Sequence, residues 1–416
     1  MFNLQNVPAK IKRLNSRGIG VGVHEDGSEV FEIPYSLPEE TIDFTCDAAG
    51  KLVHIDLKTA SPDRIKPLCP HFEKCGGCSL QHASKKFVTE WKESIVCEAL
   101  SKKRLFPKFR STFVTPNGSR RRAVFSGRRT KKGTIVGFNA PRSNKIVSIV
   151  GCIILNAKII TFLPGMEEMT ALGCTRSSII KIHISLSENG LDVFVKGGKP
   201  LERELRIKLT KLALKWNLAR LTWEDDLIIS IDPPIQLFGN IKVTPPEKFF
   251  IQASKEAENL MVNDVCDSLR NEKSVVDLFA GLGTFALPLS KTSEVFAFEQ
   301  SSEMLTALNN ASGQTPELKA IKTQSRNLQK NPVSKNELSK FGGAVLNPPR
   351  VGSHAQCKQL AISSVKTIVL VSCNPDTFAT DAEILIRGGY NLDWVRVIDQ
   401  FRWSHHIEVI ANFSRT

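Results

Sequence analysis

Val275-Val276-Asp277-Leu278-Phe279-Ala280-Gly281-Leu282-Gly283-Thr284-Phe285 decides the fold of this 416-residue chain. A short apolar, β-branched run ends in two closely spaced glycines and resumes as apolar sequence. Such a run reads as a buried strand that turns tightly into a helix and lets a ligand approach the backbone. Downstream of about residue 247 the same rhythm repeats, with strands predicted at Val275–Phe279, Val295–Glu299, Gly343–Leu346, Thr367–Val371, Trp394–Ile398 and Ile407–Ala411. Strands alternating with helical stretches predict a doubly wound α/β sheet with its functional residues at the carboxyl ends of the strands.

Two of those ends carry chemistry. Glu299 closes the strand after the glycine loop, where an acid can accept hydrogen bonds from both hydroxyls of a ribose. That spacing fits NAD or S-adenosylmethionine. Position 286 is Ala, so the third glycine of the dinucleotide fingerprint is missing, and a cofactor without a pyrophosphate fits better. Cys373, in Val371-Ser372-Cys373-Asn374-Pro375, follows the Thr367–Val371 run and places a thiol at the end of a second strand. A lone cysteine is usually core filler. One beside a cofactor loop points to covalent catalysis.

Upstream the pattern changes. Residues 1 to 62 read as short strands punctuated by Gly18, Gly20, Gly22 and Asp26-Gly27, which predicts a small β-barrel. Phe87, Trp91 and Ile95 recur every four residues in a helix predicted from Ala83 to Leu100. From about 111 to 245 the chain reads mostly as strands, with a hairpin at Glu188-Asn189-Gly190 and one helix at Leu201–Leu218. The expected domains are 1–62, 63–246 and 247–416.

Cys69, Cys75 and Cys78 form a C-x5-C-x2-C cluster. Three thiols in ten residues point to a soft metal site, with Cys152 as the best fourth ligand. Zinc and an iron–sulfur cluster both fit. The first ten residues show no basic-then-apolar leader, and no apolar run is long enough to span a bilayer. A reducing cytoplasm and no membrane partner are therefore expected, and the ten cysteines read as ligands, catalysts or core rather than disulfides.

The net charge is +14, and residues 101–150 hold fourteen Lys or Arg and no Asp or Glu. This one window accounts for the whole excess. It includes Lys102-Lys103-Arg104, Arg120-Arg121-Arg122 and Arg128-Arg129-Thr130-Lys131-Lys132. Concentrated positive charge of this kind points to a polyanion, and nucleic acid fits better than an anionic membrane because no amphipathic helix accompanies it.

Together these motifs resemble the bacterial RNA uracil-5-methyltransferases, and most closely the 23S rRNA branch with a TRAM domain and an iron–sulfur cluster. The resemblance runs through Gly18–Gly22, Ile33–Pro38, Cys69…Cys75-Gly76-Gly77-Cys78, Cys152, Phe250-Ile251-Gln252, Asp277–Phe285, Asn347-Pro348-Pro349-Arg350, Ser372–Pro375 and Asp399–Glu408. It implies a Rossmann-like S-adenosylmethionine-dependent methyltransferase domain behind a TRAM/OB-like barrel and a mainly β central domain carrying a 4Fe-4S cluster. It implies that a monomer methylates C5 of a uridine in 23S rRNA.

By the same resemblance Cys373 adds to C6 of uracil and Glu408 removes the C5 proton. Gln252, Phe279, Thr284, Glu299, Asn327 and Asn347 contact the cofactor, and Cys69, Cys75, Cys78 and Cys152 hold the cluster. A helix starting just after Cys373 is expected to lower the thiol pKa. The family usually has Asp where this chain has Asn347, which removes a negative charge beside the substrate. A tRNA substrate, or an RNA-binding protein with weakened catalysis, are the alternatives.

Overall fold

The computed structural model describes residues 7–23, 30–46 and 52–415. The Asp26-Gly27 turn lies outside them. The chain divides into two compact units. The first comprises residues 1–95, 139–145 and 401–406; the second comprises 96–138, 146–400 and 407–416.

In the first unit five antiparallel strands form a barrel-like sheet in the order Val30–Ile33, Gly20–Val23, Val7–Leu14, Thr41–Cys46, Leu52–Thr59. Alternation places Ala9, Ile11, Ile33, Ile42 and Phe44 in one core. Gly20 is required there, because a Cβ would lie 2.0 Å from Ser36 Oγ. Beyond the sheet, Arg64 forms an ion pair with the fully buried Glu40 carboxylate. The helix Lys85–Ser101 begins in this unit, and its Val88 and Trp91 pack on Leu14, Leu37 and Leu80.

The second unit holds an eight-stranded mixed sheet. Its order is Ile321–Ser325, Glu294–Glu299, Ser274–Leu278, Gly343–Leu346, Thr367–Ser372, Glu408–Ser414, Asn391–Asp399, Phe109–Val114. The first five strands are parallel, and Glu408–Ser414 enters antiparallel to both of its neighbours. The central strands are buried on both faces, as their unbroken apolar sequence requires. Two strands of this sheet are absent from the predicted set, the polar Ile321–Ser325 and the distant Phe109–Val114.

A seven-stranded sheet stands beside it in sequence, ordered Asp226–Ser230, Arg220–Trp223, Gly190–Lys196, Ile180–Ser187, Arg122–Thr130, Gly133–Asn139, Ile146–Ser148. One face packs on Leu163–Gly173 and Arg203–Lys215 through Phe125, Ile182, Val193, Leu209 and Trp223. The predicted hairpin and the Arg203–Lys215 helix form there. The helices Ala157–Thr161 and Leu163–Gly173 were not expected, because their short apolar run lacks a clear period. Among the described residues no helix is long and apolar enough to cross a membrane.

Candidate active site

The site is assembled within the second unit at the carboxyl ends of three parallel strands. The first end is the glycine loop. Phe279 takes φ +67° straight after Leu278, an uncommon conformation for a residue with a side chain. Gly281 follows at φ +56°, and a Cβ there would face open space. A Cβ on Gly283, at φ +87°, would lie 2.8 Å from Leu308. One glycine therefore leaves room above the loop, while the other lets the turn close on a helix.

Two carboxylates shape this loop. Glu299 Oε2 accepts from Gly281 N at 3.0 Å, while Oε1 accepts from the N–H groups of Gln300 at 2.7 Å and Ser301 at 3.0 Å. The half-buried Glu299 thus ties the next strand end to the loop. Asp277 is fully buried, and its Oδ2 accepts from Ala286 N at 2.9 Å. Burial pushes its carboxyl up to about 7, against the pull of that N–H. Its Oδ1 has no partner, an open acceptor position directly beneath the loop. An orphaned buried oxygen, a strained Phe279 and an open Gly281 fit a bound nucleoside cofactor. Thr284 lies in the loop. Asn327 is half-buried after the Ile321–Ser325 strand and caps its own turn, accepting from Lys330 N at 3.1 Å.

The second end is Leu346-Asn347. Asn347 N–H donates to Leu278 O at 3.2 Å, so the backbone of Asn347 is fastened to the strand that feeds the glycine loop. The third end carries Cys373. The strand Thr367–Ser372 stops at Ser372, and the helix Pro375–Arg387 starts three residues later, with Asn374 as its N-cap and Pro375 in its first turn. Asn374 Nδ2 donates to Arg350 O at 3.1 Å, which draws the Pro-Pro-Arg segment against the thiol's turn.

Ser372 pairs with Val409, so the next facing position across the ladder sets Glu408 opposite Cys373. Glu408 is only 4% exposed and lies on an inner strand. Burial raises its carboxyl to about 7, opposed by a hydrogen bond from Gln400 and by the Arg122 charge. Gln400 organises the site. Its Nε2 lies 2.9 Å from Glu408 Oε2 and 2.8 Å from Gln252 Oε1, while its Oε1 accepts from Ala253 N at 2.9 Å. Gln252, predicted as a cofactor contact, is 3% exposed, and its Oε1 is engaged by Gln400.

The expected lowering of the Cys373 pKa does not occur. The helix is where it was expected, but burial and then the facing Glu408 push the thiol up to about 11, with Arg350 opposing. Desolvation and a like charge outweigh the N-terminal dipole, which reaches only the first turn.

The basic window is not all surface either. Arg121 is 6% exposed, its Nε donates to Gln252 O at 3.0 Å, and its guanidinium pairs with buried Glu258. Arg122 sits 4.5 Å over the Phe250 ring, and burial lowers it to about 10. Gln400, Arg121, Arg122, Phe250 and Asp277 thus belong to the site or its frame, though the sequence alone assigned none of them a role; Phe250 and Asp277 stand in quoted motifs. Gln400 lies inside the quoted Asp399–Glu408 motif, and the arginines looked like part of a charge run.

The cysteine cluster lies in the first unit. Cys69, Cys75 and Cys78 are half-buried and form no disulfide, and Cys75 Sγ accepts from Gly77 N at 3.4 Å. Cys152 lies in the second unit, also half-buried. Three thiols on one turn-rich loop suit a soft metal, yet among the described residues no three His, Cys, Asp or Glu side chains gather into a metal-holding group.

Comparison with known proteins places this chain in a family. The chain belongs to the tRNA (Uracil-5-)-methyltransferase family, whose model matches residues 239–415; it is an RNA (uracil-5-)-methyltransferase. It is 37% identical to an uncharacterised RNA methyltransferase of Brucella suis biovar 1, over 96% of each chain. It is 28% identical to the 23S rRNA (uracil(1939)-C(5))-methyltransferase RlmD of Shewanella halifaxensis, over 97% of this chain and 94% of that one. The fold is similar to that of the Pyrococcus abyssi tRNA (uracil-54, C5)-methyltransferase solved with S-adenosyl-L-homocysteine. That match has a TM-score of 0.75 and 20% identity, and covers 98% of this chain and 99% of the other.

Proposed function

We propose that this chain methylates C5 of a uridine in 23S rRNA through a covalent bond between Cys373 and C6. The observation that carries the reading is the juxtaposition of Cys373 with a buried, Gln400-held Glu408 at adjacent strand ends. S-adenosylmethionine would supply an electrophilic methyl group at its sulfonium. Phe279, Glu299, Asn327 and Gln252 would line its place, with Thr284 in the loop and Asn347 at the next strand end.

C5 of uracil is too weakly nucleophilic to take a methyl group unaided. The Cys373 thiol gives its proton to solvent, with Arg350 the cation that favours the thiolate. The Sγ–C6 bond then forms as the C5–C6 π electrons move into an enolate, and C5 would take the methyl group as the S–CH3 bond breaks and S-adenosylhomocysteine leaves. Glu408 as carboxylate takes the C5 proton, and the returning electrons expel Cys373. A general base with a pKa near the working pH is well matched to that proton. The 23S rRNA substrate is supported by the named RlmD relative. A tRNA remains the second substrate reading, supported by the description of the family.

Unmodified 23S rRNA carrying 5-fluorouridine tests the chemistry, because fluorine at C5 cannot leave as a proton. A denaturation-resistant protein–RNA adduct is expected from the wild type and none from Cys373→Ala. Absence of an adduct from the wild type would refute the mechanism. Asn347 separates full from weakened catalysis. Its amide can still donate to uracil O4 and accept from N3–H, so turnover is retained. If Asn347→Asp methylates and the natural chain does not, the protein is an RNA binder that has lost its reaction.

The first unit's sheet is read as a TRAM-like barrel over residues 1–62. Residues 63–246 are read as the central domain and 247–416 as the methyltransferase domain. The thiol loop is read as an iron–sulfur ligand set, on its donor chemistry. Protein purified without oxygen should be brown and contain iron and sulfide, and Cys75→Ser should lose both. Colourless protein with stoichiometric zinc overturns that assignment.

A further inference from the structure

The seven-stranded sheet has a second face, opposite the Phe125–Ile182–Val193–Trp223 core, that the methyl-transfer chemistry does not use. Residues alternate across a sheet, so Val124, His183 and Phe194 all point away from that core. They are also in register: His183 pairs with Val124 on one side and Phe194 on the other. Val124 is 47% exposed, His183 is exposed and Phe194 half-buried. The His183 and Phe194 rings lie 5.5 Å apart between centroids. Val124 and His183 lie open on this face, and it closes only beyond Phe194, where Thr222, Asp192 and Arg220 are buried.

Charge brackets this row. Two residues along in one direction stand Lys181, which donates to Ser126 Oγ at 2.7 Å, and exposed Arg128 beyond it on its own strand. In the other direction stands Arg122, whose strand partner is Ser185. At the Phe194 edge, Lys196 and Lys248 approach its ring to 5.5 Å and 5.3 Å, both tied to Asp225. Asp192, in the Arg122 row, is held by Arg220 at 2.7 Å. Arg122 also joins the row to the catalytic end, because it lies over Phe250 and its charge reaches Glu408.

We infer that the open face of this sheet is a nucleobase-stacking platform, on which His183 and Phe194 hold bases of the single-stranded RNA that flanks the target uridine. The inference rests on the RNA reading of the site. Aromatic rings on an open sheet recognise unpaired bases, and cations beside them take the phosphates. A row one side chain high, with Lys181 and Arg128 on one side and Arg122 on the other, matches a single strand better than a helix or a globular protein. Partial desolvation by its neighbours, then the Lys181 charge, lowers His183, which favours the neutral ring for stacking. The continuity through Arg122 sets the direction of the strand, from the platform toward Phe250 and Cys373.

Filter binding to unmodified 23S rRNA transcript, and to an oligouridylate, tests this in the full chain. The double substitution His183→Ala with Phe194→Ala should weaken RNA binding at least tenfold, with S-adenosylmethionine affinity and Tm unchanged. It should raise KM for RNA while leaving kcat at saturation. His183→Tyr with Phe194→Tyr should restore binding, and Phe106→Ala, at an exposed ring outside the platform, should leave it intact. Val124→Glu, at a position that needs no burial, should also weaken RNA binding in a folded protein. RNA affinities within twofold of wild type for both the double variant and Val124→Glu overturn the platform, and would leave the face to a protein partner. Binding and turnover are read separately. A wild type that binds RNA through this face but forms no 5-fluorouridine adduct defeats the proposed reaction, not the platform. A wild type that binds neither RNA defeats the platform.

Discussion

Glu408 and Cys373 are the next residues past the Ser372–Val409 pair that ends one antiparallel ladder, and the Glu408 charge bears on the thiol. Burial holds both in their uncharged forms, and the Glu408 charge then adds to the cost of a thiolate at Cys373. The pair is therefore poised neutral, so that base and nucleophile are not ionised together at rest.

Removing the carboxylate should make the thiol easier to ionise. In Glu408→Gln, alkylation of Cys373 by iodoacetamide, followed by peptide mapping, should move to lower pH than in the wild type. An unchanged profile would mean that the two groups do not sense one another.

Ionising a buried acid also costs folding free energy. Glu408 and Asp277 both titrate near 7 in the fold, above the usual carboxylate range. Between about pH 4 and pH 7 the unfolded chain loses these protons first, so stability falls as pH rises through that window. Glu408→Gln should accordingly be more stable than wild type at pH 8, on the order of 1–3 kcal/mol, while losing methyl transfer. Wild-type turnover should rise with pH through about 7 as Glu408 becomes a base. Denaturant melts and a pH–rate profile check both.

Gln400 bonds Glu408 and Gln252 at once, and its bond to Glu408 favours the carboxylate. Gln400→Leu should shift the acid limb of the rate profile to higher pH by about one pH unit, the worth of one buried hydrogen bond. It should also weaken S-adenosylmethionine binding through Gln252. Isothermal titration and the same profile measure the two effects, and a change in neither would remove Gln400 from the site.

Arg121 and Glu258 form a buried pair behind the site, and Lys255 reaches the other Glu258 oxygen at 2.8 Å. Arg121→Met leaves that carboxylate short of a partner and should cost about 3 kcal/mol. Adding Glu258→Leu should return part of it. Urea midpoints of the two variants decide this. If Arg121 were a surface RNA contact, Arg121→Met would instead leave stability intact and reduce the salt dependence of RNA binding.

Much of the α/β sheet was legible because its strands are short, apolar and buried on both faces, so sequence and burial coincide. Four of its eight strands lie within a residue or two of their predicted bounds: Ser274–Leu278, Glu294–Glu299, Gly343–Leu346 and Thr367–Ser372. Ile321–Ser325 escaped because it is a polar edge strand, half-buried at most. Phe109–Val114 escaped because its partner is Asn391–Asp399, nearly three hundred residues away, and no local pattern records such a pairing. The helix after Cys373 was legible from the Thr377–Ile386 stretch, but its effect on the thiol was not, since that depended on what faced it.

The glycine loop, the strand ends that bear Glu299, Asn347 and Cys373, and the motif that contains Gln400 and Glu408 are all local in the chain. These follow from local backbone needs and short-range spacing. Only the tertiary structure decided that Glu408 is buried opposite Cys373, that Gln400 joins it to Gln252, and that Arg121 belongs to the frame rather than the surface. It also brought Val124, His183 and Phe194 into one open row. The reason is physical: a charge or an aromatic ring has no fixed role until its solvation and its neighbours are set, and both are set by strands that meet only in the folded chain.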